Sequence, residues 1–444
     1  MADSHLLDEA RRLLEETRRR STEALPDLPP APVTLADTGL KEAFLVDLAL
    51  KTLFVRGSLT GRELCRVLAL PYQGVVEIVL RRLKDDLLAM VRQGATVNEL
   101  DWEFQLTDKG ALAARDQLSR NGYAGVAPVP LEQYLVVASR QLPEWQRLNR
   151  QHMRQAFSGL VVSDEMLLKL GPAFNSGKSM FLYGHAGNGK TLLSEKMSES
   201  LRGGILLPHA LEAGGQVVQL FDPAHHQPIG DPDDRARMNL DNRWLLVQRP
   251  FIIVGGELTM DDLEMAWDTQ QKHYIAPLQL KANGGVFMID DFGRQRMPAR
   301  DLLNRWIVPL EKSFDYHSLG GGVQMKVPFN LLIIFSTNLA PKDLVEEAFL
   351  RRIRYKVEVP DPTEAQFREI FRNYCAGAGV SFREDMLDYL VERHYRQAGR
   401  GFRSTHPRDL VSQLVDIARF NELTVELTPE LLDAAVATYF VDLA

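Results

Sequence analysis

A glycine-rich loop between an apolar segment and a helical segment constrains this sequence more than any other stretch. Residues 179–183 are mostly apolar and predict a short strand, and a helical pattern opens at about Thr191. The segment between them fits the pattern G-x-x-x-x-G-K-[ST]. Loop and first helical turn together comprise Gly184, His185, Ala186, Gly187, Asn188, Gly189, Lys190, Thr191 and Leu192. Strand, loop and helix in this order predict an α/β fold.

The residue types in this loop suit a phosphate group. Glycines let main-chain N–H groups turn inward around an anion, and the helix that follows directs its positive end at the same point. Lys190 adds a mobile positive charge for the outer phosphates, and the Thr191 hydroxyl is a ligand for Mg²⁺. The loop therefore predicts binding of a nucleoside triphosphate together with Mg²⁺.

Composition sets broad limits on the kind of protein. The chain has 444 residues and a net charge of −7, so it has room for about three domains and is not built chiefly to coat nucleic acid. Its two cysteines, Cys65 and Cys375, lie far apart and predict buried thiols instead of a metal site or disulfide. The sequence has neither a long apolar run nor a secretory signal, so we expect a cytoplasmic protein with no membrane span.

The N-terminal quarter predicts two parts. Residues 1–36 predict a charged helix with the basic run Arg18–Arg20, followed by a proline-rich linker. Residues 37–122 predict three helices, a two-stranded wing and a last helix. This order resembles a winged-helix domain, whose third helix would run from Pro71 through Leu83. The bases that follow the start of this helix are Arg81, Arg82 and Lys84.

Both DNA binding and protein binding stay open for this winged helix. The bases of its third helix favour a contact with DNA. Asp85 and Asp86 follow them directly, however, and acids and bases are near equal in number over residues 37–122. Winged helices also serve as docking modules for proteins.

Two later strands end in polar side chains that complement the loop. Residues 284–289 predict a buried strand that delivers Asp290 and Asp291, and residues 331–335 predict another that leads to Asn338. Asp290 is the candidate Mg²⁺ ligand beside Thr191. Asp291 is the candidate acid that polarises an attacking water, and the Asn338 amide can bond that water or the γ-phosphate.

These motifs, taken in order with two arginine motifs, resemble the AAA+ ATPases over residues 156–444. The resemblance implies an αβα nucleotide-binding core at 156–360 and a helical lid at 361–444, with a linker and a helix at 123–155. It implies that Asn338 is the sensor-1 residue. Three arginines receive roles from the resemblance alone: Arg351 or Arg352 as the arginine finger that acts on ATP of the neighbouring subunit, and Arg408 as the sensor-2 residue.

The resemblance has one departure at the catalytic acid. Members of the family usually carry Glu at this position, and here it is Asp291. The side chain is shorter by one methylene group, so the water must lie closer or hydrolysis is slow.

Residues 277–290 resemble the AAA+ branch that contains MoxR-type chaperones, enhancer-binding activators and the MCM motors. The branch implies a β-hairpin before the sensor-1 strand, and residues 317–327 fit it, with glycines at the turn. It also implies a loop in the second helix, at Trp267–Ala276. In a ring, Tyr274 and Ile275 of that loop would face the central pore and contact a protein client.

The segment Gly203–Val254 is long for this fold and predicts an insertion. Residues 216–221 alternate and predict a β-hairpin, and residues 222–241 predict a mobile loop. Three histidines lie here, His209, His225 and His226, but their spacing matches no standard metal site. We therefore expect ordinary loop histidines.

Three functions are consistent with these residues. The first is a MoxR-like ATPase that assembles as a homo-oligomer, a hexameric ring, and hydrolyses ATP to remodel a protein. The second is an ATPase that acts on DNA through the winged helix. The third is a structural switch that binds ATP and hydrolyses it slowly, which the shortened acid Asp291 keeps open.

Overall fold

The fold was obtained as a computed structural model that describes residues 29–93, 98–141, 148–201, 203–230, 240–344 and 346–440. The predicted N-terminal helix and the basic run Arg18–Arg20 lie outside these residues. Within them, no helix is long and apolar enough to cross a membrane.

Residues 37–122, called the N-terminal unit below, pack four helices against a small antiparallel sheet. The helices are α1 (Glu42–Arg56), α2 (Gly61–Leu68), α3 (Glu77–Asp85) and α4 (Asp108–Arg120). The strands are β1 (Leu59–Thr60), β2 (Ala89–Gln93) and β3 (Glu103–Leu106), in the spatial order β1-β3-β2. Leucine and valine side chains of α1, α2 and α3 form a continuous core. Thr107 begins α4, because its hydroxyl accepts a hydrogen bond from the Gly110 N–H.

The third helix is shorter than the sequence predicts. The pattern places its start at Pro71, whereas the regular helix α3 begins at Glu77. Gly74 interrupts it with a φ of +73°. A Cβ atom at this position would lie 2.2 Å from the Val33 carbonyl oxygen, so the close approach of two backbone segments accounts for the break.

The middle of the chain holds a parallel sheet, several antiparallel hairpins and short helices. The strands are β4 (Val129–Pro130), β5 (Met180–Tyr183), β6 (Gly204–Pro208), β7 (Ala210–Ala213), β8 (Gln216–Gln219), β9 (Trp244–Gln248), β10 (Phe251–Val254), β11 (Ala266–Asp268), β12 (His273–Ile275), β13 (Val286–Ile289), β14 (Phe314–Ser318), β15 (Gln324–Pro328), β16 (Leu332–Thr337) and β17 (Tyr355–Glu358). The helices are α5 (Leu131–Arg140), α6 (Arg150–Ala156), α7 (Asp164–Asn175), α8 (Lys190–Glu199), α9 (Leu278–Lys281), α10 (Ala299–Arg305), α11 (Ile307–Lys312), α12 (Pro341–Leu344) and α13 (Glu347–Leu350).

Five strands form the core sheet in the order β10-β13-β16-β5-β17. All four pairings are parallel. Every residue of β13 and β16 is buried, as expected for strands covered on both faces. The carboxyl ends of parallel strands meet at one edge, so the glycine-rich loop after β5 lies beside the polar residues after β13 and β16. This confirms the predicted α/β fold.

The C-terminal part is helical, as predicted. Its helices are α14 (Glu364–Ala378), α15 (Glu384–Leu390), α16 (His406–Phe420) and α17 (Pro429–Tyr439). They enclose a core of their own, rich in aromatic residues. Thr363 and Gln366 form a capping box at the start of α14, which separates this helix sharply from the strand β17 before it.

The insertion contributes β7 and β8 to a second five-stranded sheet, called the inserted sheet below, in the order β11-β12-β8-β7-β4. It contains the predicted hairpin, whose strands are β7 and β8. Part of the loop predicted at residues 222–241, namely residues 231–239, lies outside the described residues. The hairpin predicted at residues 317–327 is also confirmed, with β14 and β15 paired across the glycine turn at residues 320–322.

The prediction of a loop at Trp267–Ala276 is wrong. These residues form β11 and β12, and Tyr274 pairs with Val218 of β8. The Tyr274 hydroxyl accepts a hydrogen bond from the Gly320 N–H at 2.7 Å, and its ring packs edge-on against Trp267. Tyr274 and Ile275 are half-buried strand residues, and Tyr274 joins this hairpin to the one at residues 314–328. Pairing between distant segments stabilises these short strands, which the sequence pattern does not show.

The N-terminal unit is attached to the insertion at Arg243, the residue before β9. This side chain is 1% exposed and forms an ion pair with Asp241 at 2.8 Å. Its guanidinium also donates to the Thr38 carbonyl at 2.8 Å and to Gln133 at 3.2 Å. One buried cation therefore links the N-terminal unit, the helix α5 and the insertion.

Candidate functional site

Three of the predicted site residues form one hydrogen-bonded chain at the edge of the core sheet. The Lys190 Nζ atom donates to Asn338 Oδ1 at 2.7 Å, and Asn338 Nδ2 donates to Asp291 Oδ1 at 3.0 Å. The strand order explains this chain. Because β16 lies between β5 and β13, the residue that follows β16 lies between the loop and the acids.

Lys190 carries a positive charge that the protein largely removes from water. Its Nζ atom also donates to the carbonyls of Gly184 at 2.8 Å and His185 at 3.0 Å. Burial lowers the pKa of Lys190, and the charges of Asp290 and Asp291 oppose this shift. The three atoms that accept its hydrogen bonds are neutral oxygens, so this buried cation favours an anion at the loop.

Thr191 and Asp290 come together as a pair of oxygen ligands. The Thr191 hydroxyl donates to Asp290 Oδ2 at 2.9 Å. A hydroxyl and a carboxylate are the ligand types that Mg²⁺ prefers. These two residues therefore fit a Mg²⁺ ion beside the loop, and their role as its ligands stays a prediction.

Asp291 lies in a tight turn with an unusual backbone. Its φ is +48°, in the left-handed region that non-glycine residues rarely adopt. The Gln295 side chain supports the turn, because its Nε2 atom donates to the carbonyls of Asp290 and Asp291, each at 3.1 Å. Such strain persists only where the surroundings hold it. The sequence analysis missed Gln295, since a glutamine after two acids carries no recognisable signal.

Space for a ligand lies at the end of the loop. Gly189 has a φ of +80°, and a Cβ atom built there would meet no other atom within 4 Å. An adjoining cavity of about 360 Å³ extends between the core and the helical C-terminal part. Its walls include residues 159–162, Leu192 and Tyr374. An apolar slot of this size beside an anion site suits a nucleoside. Residues 159–162 and Tyr374 were not predicted, because three separate segments build the cavity.

The loop also contacts the C-terminal helices through residues that the sequence analysis missed. The Thr405 N–H donates to the Gly187 carbonyl at 2.9 Å. Asp361 accepts hydrogen bonds from His185 at 2.9 Å, from Asn188 at 2.7 Å and from Arg403 at 2.5 Å. Asp361 follows β17 at the same sheet edge as Asp290. An acid that follows a parallel strand is therefore the sequence feature that could have predicted it.

The three predicted arginines lie on the surface of this region. Arg351 is 77% exposed and pairs with Glu347 one turn earlier. Arg352 is less exposed and donates to Glu311 at 2.6 Å. Arg408 donates to its neighbour Asp409 at 2.8 Å and is exposed. Their roles stay predictions, and of the first two Arg351 is the freer to reach another molecule.

The insertion histidines have structural contacts. His226 is buried, accepts a hydrogen bond from the Asp222 N–H at 2.9 Å and contacts the Lys281 carbonyl at 2.9 Å. His209 packs against Phe221. Among the described residues, no group of three or more His, Cys, Asp or Glu residues is placed to hold a metal ion.

One family model matches the helical C-terminal part of the chain. A family model described as a domain of unknown function (DUF8689) matches residues 363–438, and no curated protein matches the chain. The chain is similar to the crystal structure of NtrX from Brucella abortus in complex with ADP, with a TM-score of 0.39 and 16% identity. The match covers 74% of this chain and 66% of NtrX, just under two thirds of its length.

A second similar structure is the RuvB Holliday junction branch migration motor of Thermotoga maritima. Its TM-score is 0.36 at 13% identity, and the match covers 68% of this chain and 74% of RuvB. These scores and identities are low. The fold assignment therefore rests on the strand order of the chain itself, a five-stranded parallel core sheet with a phosphate-type loop and a helical C-terminal part.

Proposed function

We propose that this chain is an ATPase of the AAA+ type that uses ATP to remodel a protein partner. The observation that carries the proposal is the chain Lys190–Asn338–Asp291 beside the pair Thr191–Asp290. Five side chains from three strand ends converge where the loop, the helix α8 and the cavity meet. Each is of the type that phosphoryl transfer requires.

Binding of ATP follows from the loop and the cavity. The loop N–H groups and Lys190 hold the phosphates, and the apolar walls formed by Leu192 and Tyr374 hold the base. Thr191 and Asp290 would hold Mg²⁺, which supplies positive charge against the phosphate oxygens when it is bound.

Hydrolysis uses the two residues that lie between the strands. Asp291 accepts the proton of a water that attacks the γ-phosphate in line, while the bond from the γ-phosphorus to the β–γ bridging oxygen breaks and ADP leaves. Asn338 holds the Asp291 carboxylate in place through its amide. Lys190 offsets charge that develops on the phosphoryl oxygens. Lys190 donates to Asn338, so a phosphate that binds here competes with Asn338 for the Lys190 ammonium.

An arginine from a second copy completes the proposed site. Arg351 is highly exposed, and its ion pair among the described residues is a surface contact with Glu347, which costs little to break. We assign Arg351 as the arginine finger and Arg408 as the lid arginine in a hexameric ring. A lone subunit is then a poor ATPase, because the charge on its γ-phosphate is not fully offset.

The length of the catalytic acid sets the expected rate. Replacing Asp291 with Glu is expected to raise ATP turnover several-fold, because the added methylene brings the carboxylate closer to the attacking water. Asp291→Asn, which cannot accept the proton, is expected to lower turnover by about 10²–10⁴-fold while ATP still binds. Steady-state phosphate release measures both. If wild-type turnover matches that of Asp291→Asn, the chain is a slow nucleotide switch and the hydrolytic proposal fails.

The N-terminal unit favours a protein partner over DNA. The bases of α3 have partners within the chain: Arg81 pairs with Glu77 at 2.7 Å, and Arg82 pairs with Asp86 at 2.9 Å. Lys84 lies 5.3 Å from the centre of the Trp102 ring. A helix that reads DNA uses such bases for phosphates, and the carboxylates beside two of them lower the net positive charge that α3 presents.

Salt dependence distinguishes the two partners. The full-length chain is expected to bind duplex DNA weakly, and Arg81→Ala/Arg82→Ala is expected to leave that affinity within about twofold. Fluorescence anisotropy with labelled duplexes over a salt series measures this. Tight binding whose logarithm falls steeply with salt, and which the double substitution removes, would favour the DNA-acting alternative.

A further inference from the structure

Asp361 receives hydrogen bonds from two parts of the molecule, the phosphate loop and the helical C-terminal part. It lies just after β17, where the core ends and the helical C-terminal part begins. Its Oδ1 atom accepts from His185 and Asn188 of the loop, and its Oδ2 atom accepts from Arg403 of the C-terminal part. One carboxylate therefore spans the phosphate loop and the lid.

This bridge lies where the core and the lid, the two walls of the cavity, meet. The core contributes residues 159–162 and the loop end, and the lid contributes Tyr374 and Ser404. The lid also contacts the loop at Thr405, the residue after Ser404, whose N–H donates to the Gly187 carbonyl. A Cβ atom at Gly187 would lie only 2.5 Å from Thr405 Oγ1. The two walls form a slot only while lid and loop stay this close.

Asp361 also sets the orientation of a loop side chain. An ionised carboxylate only accepts hydrogen bonds, so the Asn188 amide must turn its Nδ2 atom toward Asp361. Asn188 is 5% exposed and lines the cavity, and its Oδ1 atom is buried with no hydrogen-bond partner among the described residues. The loop therefore depends on Asp361 for the conformation of one of its buried residues.

The charge of Asp361 persists at neutral pH. Partial burial raises the pKa of this carboxyl, but hydrogen bonds from Asn188 and His185 and the charge of Arg403 outweigh burial and place the pKa below its usual value. The side chain is 35% exposed, so water weakens the ion pair without removing the directional contact to the buried Asn188.

We propose that Asp361 is a positioning residue that joins the phosphate loop to the lid, so that the nucleoside slot is formed before a nucleotide arrives. The inference rests on the proposed function and adds a residue that touches neither phosphate nor base. A preformed slot improves affinity by removing the cost of ordering the lid. Its loss affects ATP and ADP alike, because both carry the same nucleoside.

The test measures dissociation constants of ATP and ADP for the full-length chain by isothermal titration calorimetry. Asp361→Asn and Arg403→Gln are each expected to raise both constants about tenfold, the size expected for a hydrogen bond to a charged group. The double variant is expected to have the same dissociation constants as the single variant that binds more weakly, because both substitutions break the same contact between Asp361 and Arg403. Turnover at saturating ATP is expected to change less than about threefold.

A matched control comes from an exposed ion pair in the lid. Arg383 and Asp385 pair on the lid surface, each more than half exposed, and Asp385→Asn is expected to leave both dissociation constants unchanged. A second readout needs no nucleotide. Hydrogen exchange of the Thr405 N–H, which donates to Gly187, is expected to accelerate in Asp361→Asn.

The outcomes separate this inference from the function on which it rests. Wild-type protein with no measurable affinity for ATP would overturn the proposed function and the inference together. Wild-type protein that binds ATP, with unchanged constants in Asp361→Asn or with fully additive effects in the double variant, would overturn the inference alone.

Discussion

Replacing Lys190 with alanine is expected to lower the affinity for ATP by at least about thirtyfold. Truncating one partner of a buried, hydrogen-bonded charge pair typically costs about 2–5 kcal/mol of binding free energy. Lys190 is 7% exposed and is the loop residue that carries a full positive charge to the phosphates. Calorimetric titration with ATP and Mg²⁺ measures the change directly.

The same substitution is not expected to destabilise the protein without ligand. Burial lowers the pKa of Lys190, so the folded chain holds this charge at a cost. Removing it is expected to leave the midpoint of urea unfolding nearly unchanged, because relief of that cost offsets the loss of the three hydrogen bonds from Lys190. Lys196→Ala is the matched control, since Lys196 lies on the same helix and pairs with Glu199 at the surface. An ATP affinity that survives in Lys190→Ala would contradict the site described here.

Replacing Arg243 with methionine is expected to lower the free energy of unfolding by about 3–5 kcal/mol, the cost of breaking a buried ion pair by removing one partner. The substitution leaves the Asp241 carboxylate, 4% exposed, without its cation. It also removes the donors to Thr38 and Gln133 that hold the N-terminal unit in place. Urea unfolding measures the loss, and limited proteolysis between residues 121 and 130 measures release of the N-terminal unit.

Two further variants test this explanation. Adding Asp241→Leu to Arg243→Met removes the buried carboxylate that has lost its cation. The double variant is therefore expected to recover part of the lost free energy of unfolding. Arg62→Met breaks an exposed pair with Asp101 in the N-terminal unit and is expected to cost less than about 1 kcal/mol. Equal losses for Arg62→Met and Arg243→Met would show that burial of the pair has no special effect.

The sequence predicted the parts of the site that depend on local pattern. Apolar runs that end in Asp290 or Asn338 identify buried parallel strands, and the carboxyl ends of such strands meet at one edge. The glycine-rich loop contributes Lys190 and Thr191 to that edge. The proximity of these residues could be predicted from the sequence, because the carboxyl ends of parallel strands have few other possible positions.

Other features depend on contacts between distant segments, and the sequence does not show them. Asp361 lies between two prolines in a segment whose composition is typical of a linker, yet it contacts the loop and the lid. Tyr274 lies in a strand of three residues that exists because it pairs with β8. Arg243 follows Asp241 in a polar stretch typical of a loop, although both side chains are buried. In each case tertiary packing outweighs local propensity.

Phosphate release from ATP by the purified full-length chain tests the central claim most directly. The measurement compares wild type with Lys190→Ala over a series of protein concentrations, with Mg²⁺ present and after its removal. The account predicts Mg²⁺-dependent release by wild type that exceeds the variant, and a rate per subunit that rises with concentration as Arg351 of one copy reaches the site of the next. A wild-type rate equal to that of Lys190→Ala at every concentration would contradict it.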